Sequence, residues 1–256
     1  MPSTEKKFLA KAKLWAKHHG LHGQNAFLRY VMFVFTENLS KTSDDFVFKG
    51  GNLLWLYIHT PRATVDLDFA TKSIVAHREV RSILERAGQL RAAEIEFRIV
   101  EFKEISQQGE SGAAVRVEYR THDGAKNFFD LDIVYAIGTN DTRIPSPIQT
   151  SHGLRVSALE KIITDKIVAS HRFKGGNTRM KDFDDLWRIS KSGKSFDTQI
   201  LRNLLKAQAV GMLNPEWVDP KMEAAWQSHR KRYQDLPETL GATIDAINIW
   251  LKTILA

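Results

Sequence analysis

The stretch that decides the fold reads Phe46-Val-Phe-Lys-Gly-Gly-Asn-Leu-Leu-Trp-Leu-Tyr-Ile-His-Thr-Pro-Arg-Ala-Thr-Val-Asp-Leu-Asp-Phe69. Its first residues, Phe46 to Phe48, are apolar and predict a short strand that ends at a Lys-Gly-Gly turn. An apolar helix is expected next, from about Asn52 to His59, and a Pro-Arg turn follows it. A second strand, Thr64 to Phe69, carries two acidic side chains. The predicted order is therefore strand, glycine turn, helix and strand.

The two acidic residues of the second strand suggest a metal site. Asp66 and Asp68 are two residues apart, so their side chains project from the same face of a strand. Neighbouring carboxylates repel each other unless a cation lies between them. Oxygen ligands suit Mg²⁺, which proteins hold with one or two carboxylates and substrate phosphates. The alternative is a solvated edge strand, and for a bare Asp-x-Asp sequence that alternative is the commoner case.

The glycine turn upstream favours the metal site. Gly50 and Gly51 stand where a strand passes into a helix, so backbone N–H groups at the helix N-terminus can face an anion. A phosphate cradle beside a carboxylate pair is the layout that phosphoryl or nucleotidyl transfer needs. The two halves of the stretch therefore predict one chemistry together.

Composition limits the class of protein. The chain has 256 residues and 43% hydrophobic residues, which is ordinary for a globular protein of one large or two modest domains. It has no cysteine, which excludes a disulfide framework, thiolate zinc sites and a Cys nucleophile. The longest apolar run, Tyr30 to Phe35, is too short to cross a bilayer, and no signal peptide is evident, so we expect a cytoplasmic protein. The net charge of +7 favours a polyanionic partner such as RNA, although many basic proteins bind none.

The rest of the chain predicts an α/β (α+β) fold. We expect a sheet with flanking helices, followed by a helical C-terminal half. The predicted helices of the first half are 4–20, 24–39 and 73–90, capped in the last case by Thr71 or Ser73, and the predicted strands are 94–102, 114–120 and 126–135. A Gly-, Pro- and Ser-rich stretch, Gly138 to Gly153, is the expected linker. The expected domains are residues 1–138, with the nucleotidyltransferase site, and residues 154–256, which contribute Lys and Asp to it.

The C-terminal half opens with an expected capping box, Ser157-Ala-Leu-Glu160, and a helix that runs to about His171. Another helix begins near Met180. The remainder, 196–256, is expected to be helical, with prolines breaking the helices.

A third metal ligand is expected on another strand, because two-metal nucleotidyl transfer draws carboxylates from at least two strands. Asp132 lies in a largely apolar strand, where a carboxylate is costly unless it is paired or bound to a metal. We therefore prefer it to Asp130, which is nearer the turn. The alternative is a hairpin face that simply meets water.

The C-terminal half supplies charges that a triphosphate site can use. Lys166 can bind the β- or γ-phosphate as a point charge, and Asp182 or Asp185 can orient that lysine or the acceptor hydroxyl. Mixed charges are common on exposed helices, so this segment alone also fits a solvated helix face.

Together these motifs resemble the AbiEii/AbiGii toxin family, a branch of the MNT-type, DNA-polymerase-β-like nucleotidyltransferases. The matching residues are Lys49-Gly50-Gly51-Asn52 and Arg62-Ala-Thr64-Val-Asp66-Leu-Asp68-Phe69 in the first half. Leu131-Asp132-Ile133, Glu160 to Lys166, and Arg179-Met-Lys-Asp182-Phe-Asp-Asp185-Leu186 continue the likeness, which covers roughly residues 40 to 190. Asn52 stands where that family has Thr or Ser, and Thr64 stands where it has Ser.

The resemblance implies an α/β (α+β) fold with a nucleotidyltransferase-type mixed sheet, flanking helices and a helical C-terminal half. It also implies an NTP donor, Mg²⁺ or Mn²⁺, and a toxin of a toxin–antitoxin or phage-defence system, with a cognate antitoxin as the expected partner. Relatives act on tRNA acceptor ends. By this resemblance the metal ligands are Asp66, Asp68 and Asp132, and the other catalytic residues are Lys166, Asp182 and Asp185. The nucleotide-binding residues are Lys49, Gly50, Gly51, Asn52, Arg62, Thr64 and Arg179.

Three functions remain open at this point. The first is NMP transfer from an NTP to an RNA hydroxyl. The second is the same chemistry on a protein or a small molecule. The third is a non-catalytic protein that binds RNA or a partner, which the substitution at Asn52 supports and the three aspartates oppose.

Overall fold

The computed structural model describes residues 4–73, 76–90, 95–107, 110–122, 124–135, 140–148 and 153–256. The chain divides into two compact units, and each is made of two segments. Unit 1 comprises Met1–Leu53 and Ala63–Ser157, and unit 2 comprises Leu54–Arg62 and Ala158–Ala256. None of the helices in the described ranges is long and apolar enough to span a membrane.

The helices are α1 Thr4–His18, α2 Gly23–Thr42, α3 Gly50–Ile58, α4 His77–Gln89, α5 Leu159–Phe173, α6 Met180–Lys191, α7 Thr198–Ala207, α8 Pro220–Arg230 and α9 Leu240–Leu255, with a 3₁₀ turn at Pro215–Trp217. The strands are β1 Phe46–Lys49, β2 Asp66–Thr71, β3 Ile95–Gln107, β4 Glu110–Thr121, β5 Lys126–Tyr135, β6 Asp141–Pro145 and β7 Gly153–Ser157. The predicted strand–turn–helix–strand order of the opening stretch is confirmed.

Unit 1 is built on one mixed sheet, as the sequence predicts. Its described strands follow the order β3-β4-β5-β2-β1-β7-β6. The pairs β2–β5 and β1–β7 are parallel, and the remaining neighbours are antiparallel. The parallel pairing of β2 with β5 is the contact that places the two acidic strands side by side.

Helix α2 covers one face of this sheet with aromatic side chains. The ring of Phe35 lies 5.2 Å from that of Phe97 and 5.5 Å from that of Phe129, both in edge-on geometry. Phe33 meets Phe48 in the same way. Edge-to-face contacts add to the stability that burial of these rings supplies. Because successive strand residues alternate in direction, the acidic residues of β2 and β5 project from the opposite face.

The predicted linker contains a strand. Within Gly138–Gly153, residues 141–145 form β6, which pairs antiparallel with β7, and both belong to unit 1. Residues 136–139 and 149–152 lie outside the described part of the chain. The strand was missed because Pro145 and polar neighbours conceal it; proline is tolerated at a strand end or edge, where no ladder hydrogen bond is needed.

Both predicted helix caps are wrong. Helix α5 begins after Ala158, which makes no side-chain cap, and Ser157 is the last residue of β7. The Glu160 carboxylate accepts a hydrogen bond from the Asp197 amide instead. The two residues that match the capping-box pattern therefore have other roles in the structure.

Helix α4 also begins later than expected, after Ala76. Thr71 is part of β2, and the Ser73 hydroxyl donates to the Asp45 carboxylate at 2.9 Å. Residues 74 and 75, which the prediction placed in this helix, lie outside the described residues.

Unit 2 is organised around α6, which contacts α5, α8 and α9. Phe183, Leu186 and Ile189 fill its apolar side. Its polar side is also buried, because Asp184 and Asp185 are both 0% exposed. Buried carboxylates need partners, and the neighbouring elements of unit 2 supply them.

Candidate active site

Four carboxylates lie on the open face of unit 1. In the parallel register of β2 with β5, Asp66 is opposite Asp130 and Asp68 is opposite Asp132. Residues opposite each other on neighbouring strands point to the same face, and strands are about 4.8 Å apart. Asp66 and Asp68 are partly exposed and alternate with buried Leu67. The predicted alignment of Asp66, Asp68 and Asp132 on one face is thus present in the backbone.

The Asp132 side chain is more exposed than the sequence suggested. The sequence interpretation placed it in an apolar strand, yet its side chain is exposed and only its neighbours Leu131 and Ile133 are buried. The better reason for preferring it is its register opposite Asp68. Asp130 has a cation nearby, with its carboxylate 3.8 Å from Arg116.

Gly50 makes room for the Asp68 carboxylate. A methyl group on Gly50 would lie 1.8 Å from an oxygen of Asp68, far inside van der Waals contact. Gly50 also has a φ of +77°, which disfavours residues with a side chain. It starts α3, so its amide and that of Gly51 belong to the unsatisfied first turn of the helix. The Gly-Gly turn therefore joins a helix N-terminus to the second aspartate of the pair.

Asn52 is held inside the protein. It is 1% exposed, and its amide nitrogen donates to the backbone oxygen of Asp66 at 2.6 Å. Its side-chain oxygen accepts from the Arg29 guanidinium at 3.1 Å. These contacts tie α3 to the start of β2, so the amide meets protein rather than solvent.

Unit 1 also contains two further predicted residues, Lys49 and Thr64. Lys49 is opposite Asp68 in the antiparallel register of β1 with β2, on the same face. The Thr64 hydroxyl is buried and has no hydrogen-bond partner among the described residues. A buried hydroxyl without a partner is costly, and a ligand oxygen would relieve that cost.

The carboxylate face suits a hard cation by chemistry and register. Its donors are all oxygen, and Mg²⁺ and Mn²⁺ prefer such donors. In the described parts of the chain, no three His, Asp or Glu side chains are already gathered around a metal position. The strands therefore place the donors on one face, and the side chains have to turn inwards to hold an ion.

Unit 2 holds the second set of predicted residues as a buried ion-pair network. Lys166 Nζ lies 2.6 Å from an Asp185 oxygen and 3.3 Å from an Asp182 oxygen. The Arg62 guanidinium binds both oxygens of Asp185 at 3.0 and 3.2 Å. Arg179 donates to the other oxygen of Asp182 at 3.0 Å. Three cations thus meet two carboxylates, which leaves a net positive charge that suits an anionic ligand.

The charges of this network reinforce one another. Burial alone would lower the pKa of Lys166, but the carboxylates of Asp185 and Asp182 outweigh burial and raise it. Burial alone would raise the pKa of Asp182, whereas Lys166 and Arg179 bring it below its ordinary value. The pKa of Arg62 is likewise raised by Asp185 against the effect of burial. These groups therefore stay ionised at neutral pH.

A second network on α6 was not predicted. The Arg188 Nε–H donates to Asp184 at 2.5 Å, and the rest of its guanidinium binds Asp235 at 2.6 and 3.0 Å. His229 Nε2 lies 2.8 Å from the other Asp184 oxygen. The four-residue spacing of Asp184 and Arg188 on a helix is a signal for this pair. No local sequence pattern links this pair to His229 or Asp235, which are 45 and 47 positions from their partners in the chain.

The structure thus brings the predicted residues together in two sets. The residues of unit 1 are Lys49, Gly50, Gly51, Asn52, Thr64, Asp66, Asp68 and Asp132, and the residues of unit 2 are Arg62, Lys166, Arg179, Asp182 and Asp185. Each set is internally close.

Comparisons with known proteins agree with this fold. A family model described as "Nucleotidyl transferase AbiEii toxin, Type IV TA system" matches residues 33–246. Among solved structures, JHP933 from Helicobacter pylori is similar at 21% identity and a TM-score of 0.60, over 92% of this chain and 93% of that one. A candidate nucleotidyltransferase from H. pylori is similar at 20% identity and a TM-score of 0.61, over 92% and 96%. A comparison with curated proteins finds no match.

Proposed function

The chain belongs to the AbiEii nucleotidyltransferase toxin family, and from this premise we propose that it transfers NMP from an NTP to a hydroxyl of RNA. The acceptor class we propose is tRNA, and the donor is held with Mg²⁺ or Mn²⁺. The observation that carries the proposal is the register of β2 with β5, which sets Asp68 opposite Asp132 and keeps Asp66 on the same face.

Asp66, Asp68 and Asp132 are the residues that would hold the metal. When bound, a divalent ion lowers the pKa of the attacking hydroxyl and offsets the charge that develops on the phosphates. The carboxylates themselves fix where such an ion can lie, because β2 and β5 are central strands of the sheet.

The nucleotide is proposed to bind at the start of α3. The first-turn amides of Gly50 and Gly51 can donate to phosphate oxygens. The Thr64 hydroxyl, buried without a partner among the described residues, is a further donor. Lys49 brings a positive charge to the same face as Asp68. These groups bind and orient the triphosphate.

Asn52 is proposed to support this site from inside the protein, without contacting the nucleotide. Its amide holds the backbone of Asp66, so we assign it the positioning of β2 rather than a contact with phosphate. The replacement of the family's hydroxyl residue by Asn52 is then compatible with activity.

The network of unit 2 is proposed to act in the same reaction. Lys166 is proposed to offer its positive charge to an anionic group of the substrate, and Asp182 and Asp185 hold its ammonium group in place. Arg62 and Arg179 fix the two carboxylates from their other sides. The net positive charge of the cluster supports a role with an anionic substrate.

Net charge and family membership support the acceptor and the setting that we propose. A net charge of +7 supports a polyanionic acceptor. We propose RNA modification in the cytoplasm as the toxic activity, neutralised by a cognate antitoxin, with phage defence as its setting.

The deciding experiment is transfer of label from α-³²P-labelled NTPs to total RNA and total protein. Wild type is expected to label RNA in a metal-dependent way, and Asp66→Ala is expected to abolish labelling. Asp130→Ala is the matched control, since this residue shares the face but lies beside Arg116; it should retain most activity. Equal labelling by wild type and Asp66→Ala would contradict the assignment.

The same assay separates the acceptor classes. Label that RNase removes supports RNA. Label that survives RNase and moves with protein or a small molecule would overturn the RNA acceptor while leaving nucleotidyl transfer intact.

A further inference from the structure

The exposed end of α5 carries an aromatic ring with a cation over it. Phe173 is the last residue of this helix and is 38% exposed. The guanidinium carbon of Arg179, the residue before α6, lies 5.8 Å from the centroid of the Phe173 ring. Proteins use aromatic rings together with arginine to stack on the flat bases of nucleotides. The pair therefore has the composition of a base-stacking site.

The backbone that follows this ring is strained. Lys174 has a φ of +41° although it is not a glycine, and Gly176 has a φ of +84°. A side chain held in this region costs free energy, and such residues persist where the surrounding structure fixes them, often at ligand-binding sites. The end of α5 is thus held in a conformation that its own sequence does not favour.

Contacts within unit 2 hold the loop of residues 174–179 in this conformation. The Gly176 amide donates to the Asp219 carboxylate at 3.1 Å. Asn177 is 2% exposed, and its side-chain oxygen accepts from the Arg179 amide at 2.8 Å. The loop is therefore fixed before a ligand arrives, which reduces the conformational entropy that binding would cost.

Arg179 connects the ring to the ion-pair network. Its Nε–H donates to Asp182 at 3.0 Å, and Asp182 also contacts Lys166 at 3.3 Å. The Arg179 side chain is nevertheless 49% exposed, so part of its guanidinium remains open to a ligand. The Phe173 ring is thus separated by one guanidinium from a network that carries a net positive charge.

A nucleotide matches this arrangement because it joins a flat aromatic base to anionic phosphate. The phosphate meets the cations of the network, and the base lies on the exposed ring. A phosphate without a base would leave the ring unused, and an apolar ligand would leave the cations unused. The arrangement therefore favours a ligand that has both parts.

We propose that Phe173 and Arg179 form a stacking site for the base of a nucleotide whose phosphates lie at the network of Lys166. This assignment rests on the proposed function and adds to it the residues that receive a base. The base belongs either to the NTP donor or to an unpaired nucleotide of the RNA acceptor, since both present the same aromatic face. Stacking does not depend on the hydrogen-bonding edge of a base, so the site accepts all four bases.

The test compares Phe173→Leu with Phe173→Trp. Leucine keeps an apolar side chain and removes the ring, whereas tryptophan keeps a ring that can stack. The matched control is Phe196→Leu, because Phe196 is also in unit 2 but packs against Trp250. Calorimetric titration measures the affinity for the four NTPs and for inorganic triphosphate, each with Mg²⁺. Anisotropy of a short fluorescent single-stranded RNA, with EDTA and without NTP, measures the affinity for the acceptor.

Phe173→Leu is expected to weaken NTP binding or RNA binding roughly tenfold, while its affinity for inorganic triphosphate stays within about twofold of wild type. Phe173→Trp should keep the affinity of wild type, and Phe196→Leu should match wild type for every ligand. A loss for the NTPs assigns the site to the donor, and a loss for the RNA assigns it to the acceptor. Circular dichroism checks that the variants fold.

Unchanged affinity of Phe173→Leu for both the NTPs and the RNA would overturn the proposal. An equal loss for the NTPs and for inorganic triphosphate would also overturn it, because inorganic triphosphate has no base. So would a wild type that binds neither the NTPs nor the RNA. Base-dependent binding without any transfer would contradict the proposed function alone, whereas transfer with unchanged binding by Phe173→Leu would contradict this inference alone.

Discussion

The open carboxylate face of unit 1 and the ion-pair network of unit 2 use the same side chain in opposite settings. The register of β2 with β5 places aspartates opposite aspartates, so that like charges are neighbours. The pairs are Asp66 with Asp130 and Asp68 with Asp132. In the network, Asp182 and Asp185 are buried between Lys166, Arg62 and Arg179. Under the proposed function the first set holds a metal ion, whereas the second set is paired within the protein.

The two sets of carboxylates should affect the stability of the fold differently. Crowded like charges lower the stability of the fold until a cation joins them. Breaking a buried ion pair by removing one partner is strongly destabilising, because it leaves an uncompensated charge. A carboxylate-to-amide substitution should therefore lower stability most in the ion-pair network of unit 2. The following changes are ordered by the expected loss of unfolding free energy.

Asp185→Asn should have the largest effect, a loss of about 3–5 kcal/mol, because it leaves Arg62 and Lys166 without their shared carboxylate. Denaturant unfolding measures this loss. Asp165→Asn is the control, since Asp165 is an exposed partner of Lys161 on α5. An exposed pair of this spacing contributes only about 0.3–0.5 kcal/mol. Similar losses of unfolding free energy for both variants would contradict the expected cost of leaving Arg62 and Lys166 without their carboxylate.

Asn52→Ala should cost about 1–3 kcal/mol, because buried Arg29 loses an acceptor and the Asp66 carbonyl loses a donor. The kinetic readout distinguishes the two roles considered for this residue. A positioning role predicts a lower kcat with little change in KM for NTP. A rise in KM for NTP with unchanged stability would restore the direct phosphate contact that the sequence suggested.

Gly50→Ala should cost about 1–2 kcal/mol, because a side chain at a φ of +77° is strained. It should also abolish transfer, since the new methyl group displaces the Asp68 carboxylate. Gly124→Ala is matched in backbone strain, with a φ of +82° and nothing within 4 Å of the added carbon. It should lose a similar amount of stability and keep its activity. Loss of activity in both variants would point to strain alone.

Acid should weaken the network below the ordinary pKa of an aspartate. The pKa of Asp182 is held below its ordinary value of 3.8. A depressed carboxyl pKa stabilises the fold above that ordinary value, and the contribution is lost as pH falls through the folded-state pKa. Unfolding free energy should therefore fall as pH drops below about 4. Asp182→Asn should fall less steeply over that range, and identical slopes would contradict the role of Asp182.

The sequence predicted local features of the site better than distant ones. Asp66 and Asp68 alternate with Leu67, so their common face follows from strand geometry alone. Gly50 was found because a Gly-Gly pair between an apolar strand and a helix predicts backbone N–H groups that can face an anion. Its positive φ is known only from the structure. That Asp68 lies opposite Asp132 depends on a parallel pairing of strands whose partner residues are 64 positions apart (68 and 132), and no local pattern encodes this pairing.

The predictions that failed were based on short-range sequence patterns, and the residues in those patterns have other roles or more distant partners in the structure. Ser157 and Glu160 fit a capping box, yet one ends a strand and the other binds the Asp197 amide. Asp184 was read as one of several helix acids, and its bond to His229 joins residues 45 positions apart. Strand β6 was hidden by Pro145 in a stretch that looked like a linker.

The most direct test of the metal and nucleotide site is the shift in unfolding midpoint when Mn²⁺ and NTP are added to wild type and to Asp68→Asn/Asp132→Asn. A ligand at 100 times its Kd stabilises the folded state by about 2.7 kcal/mol. We predict that wild type gains stability when metal and nucleotide are added, relative to the same protein in EDTA, and that the double variant gains little. Equal gains in both proteins would contradict the assignment of these aspartates as the metal-binding residues.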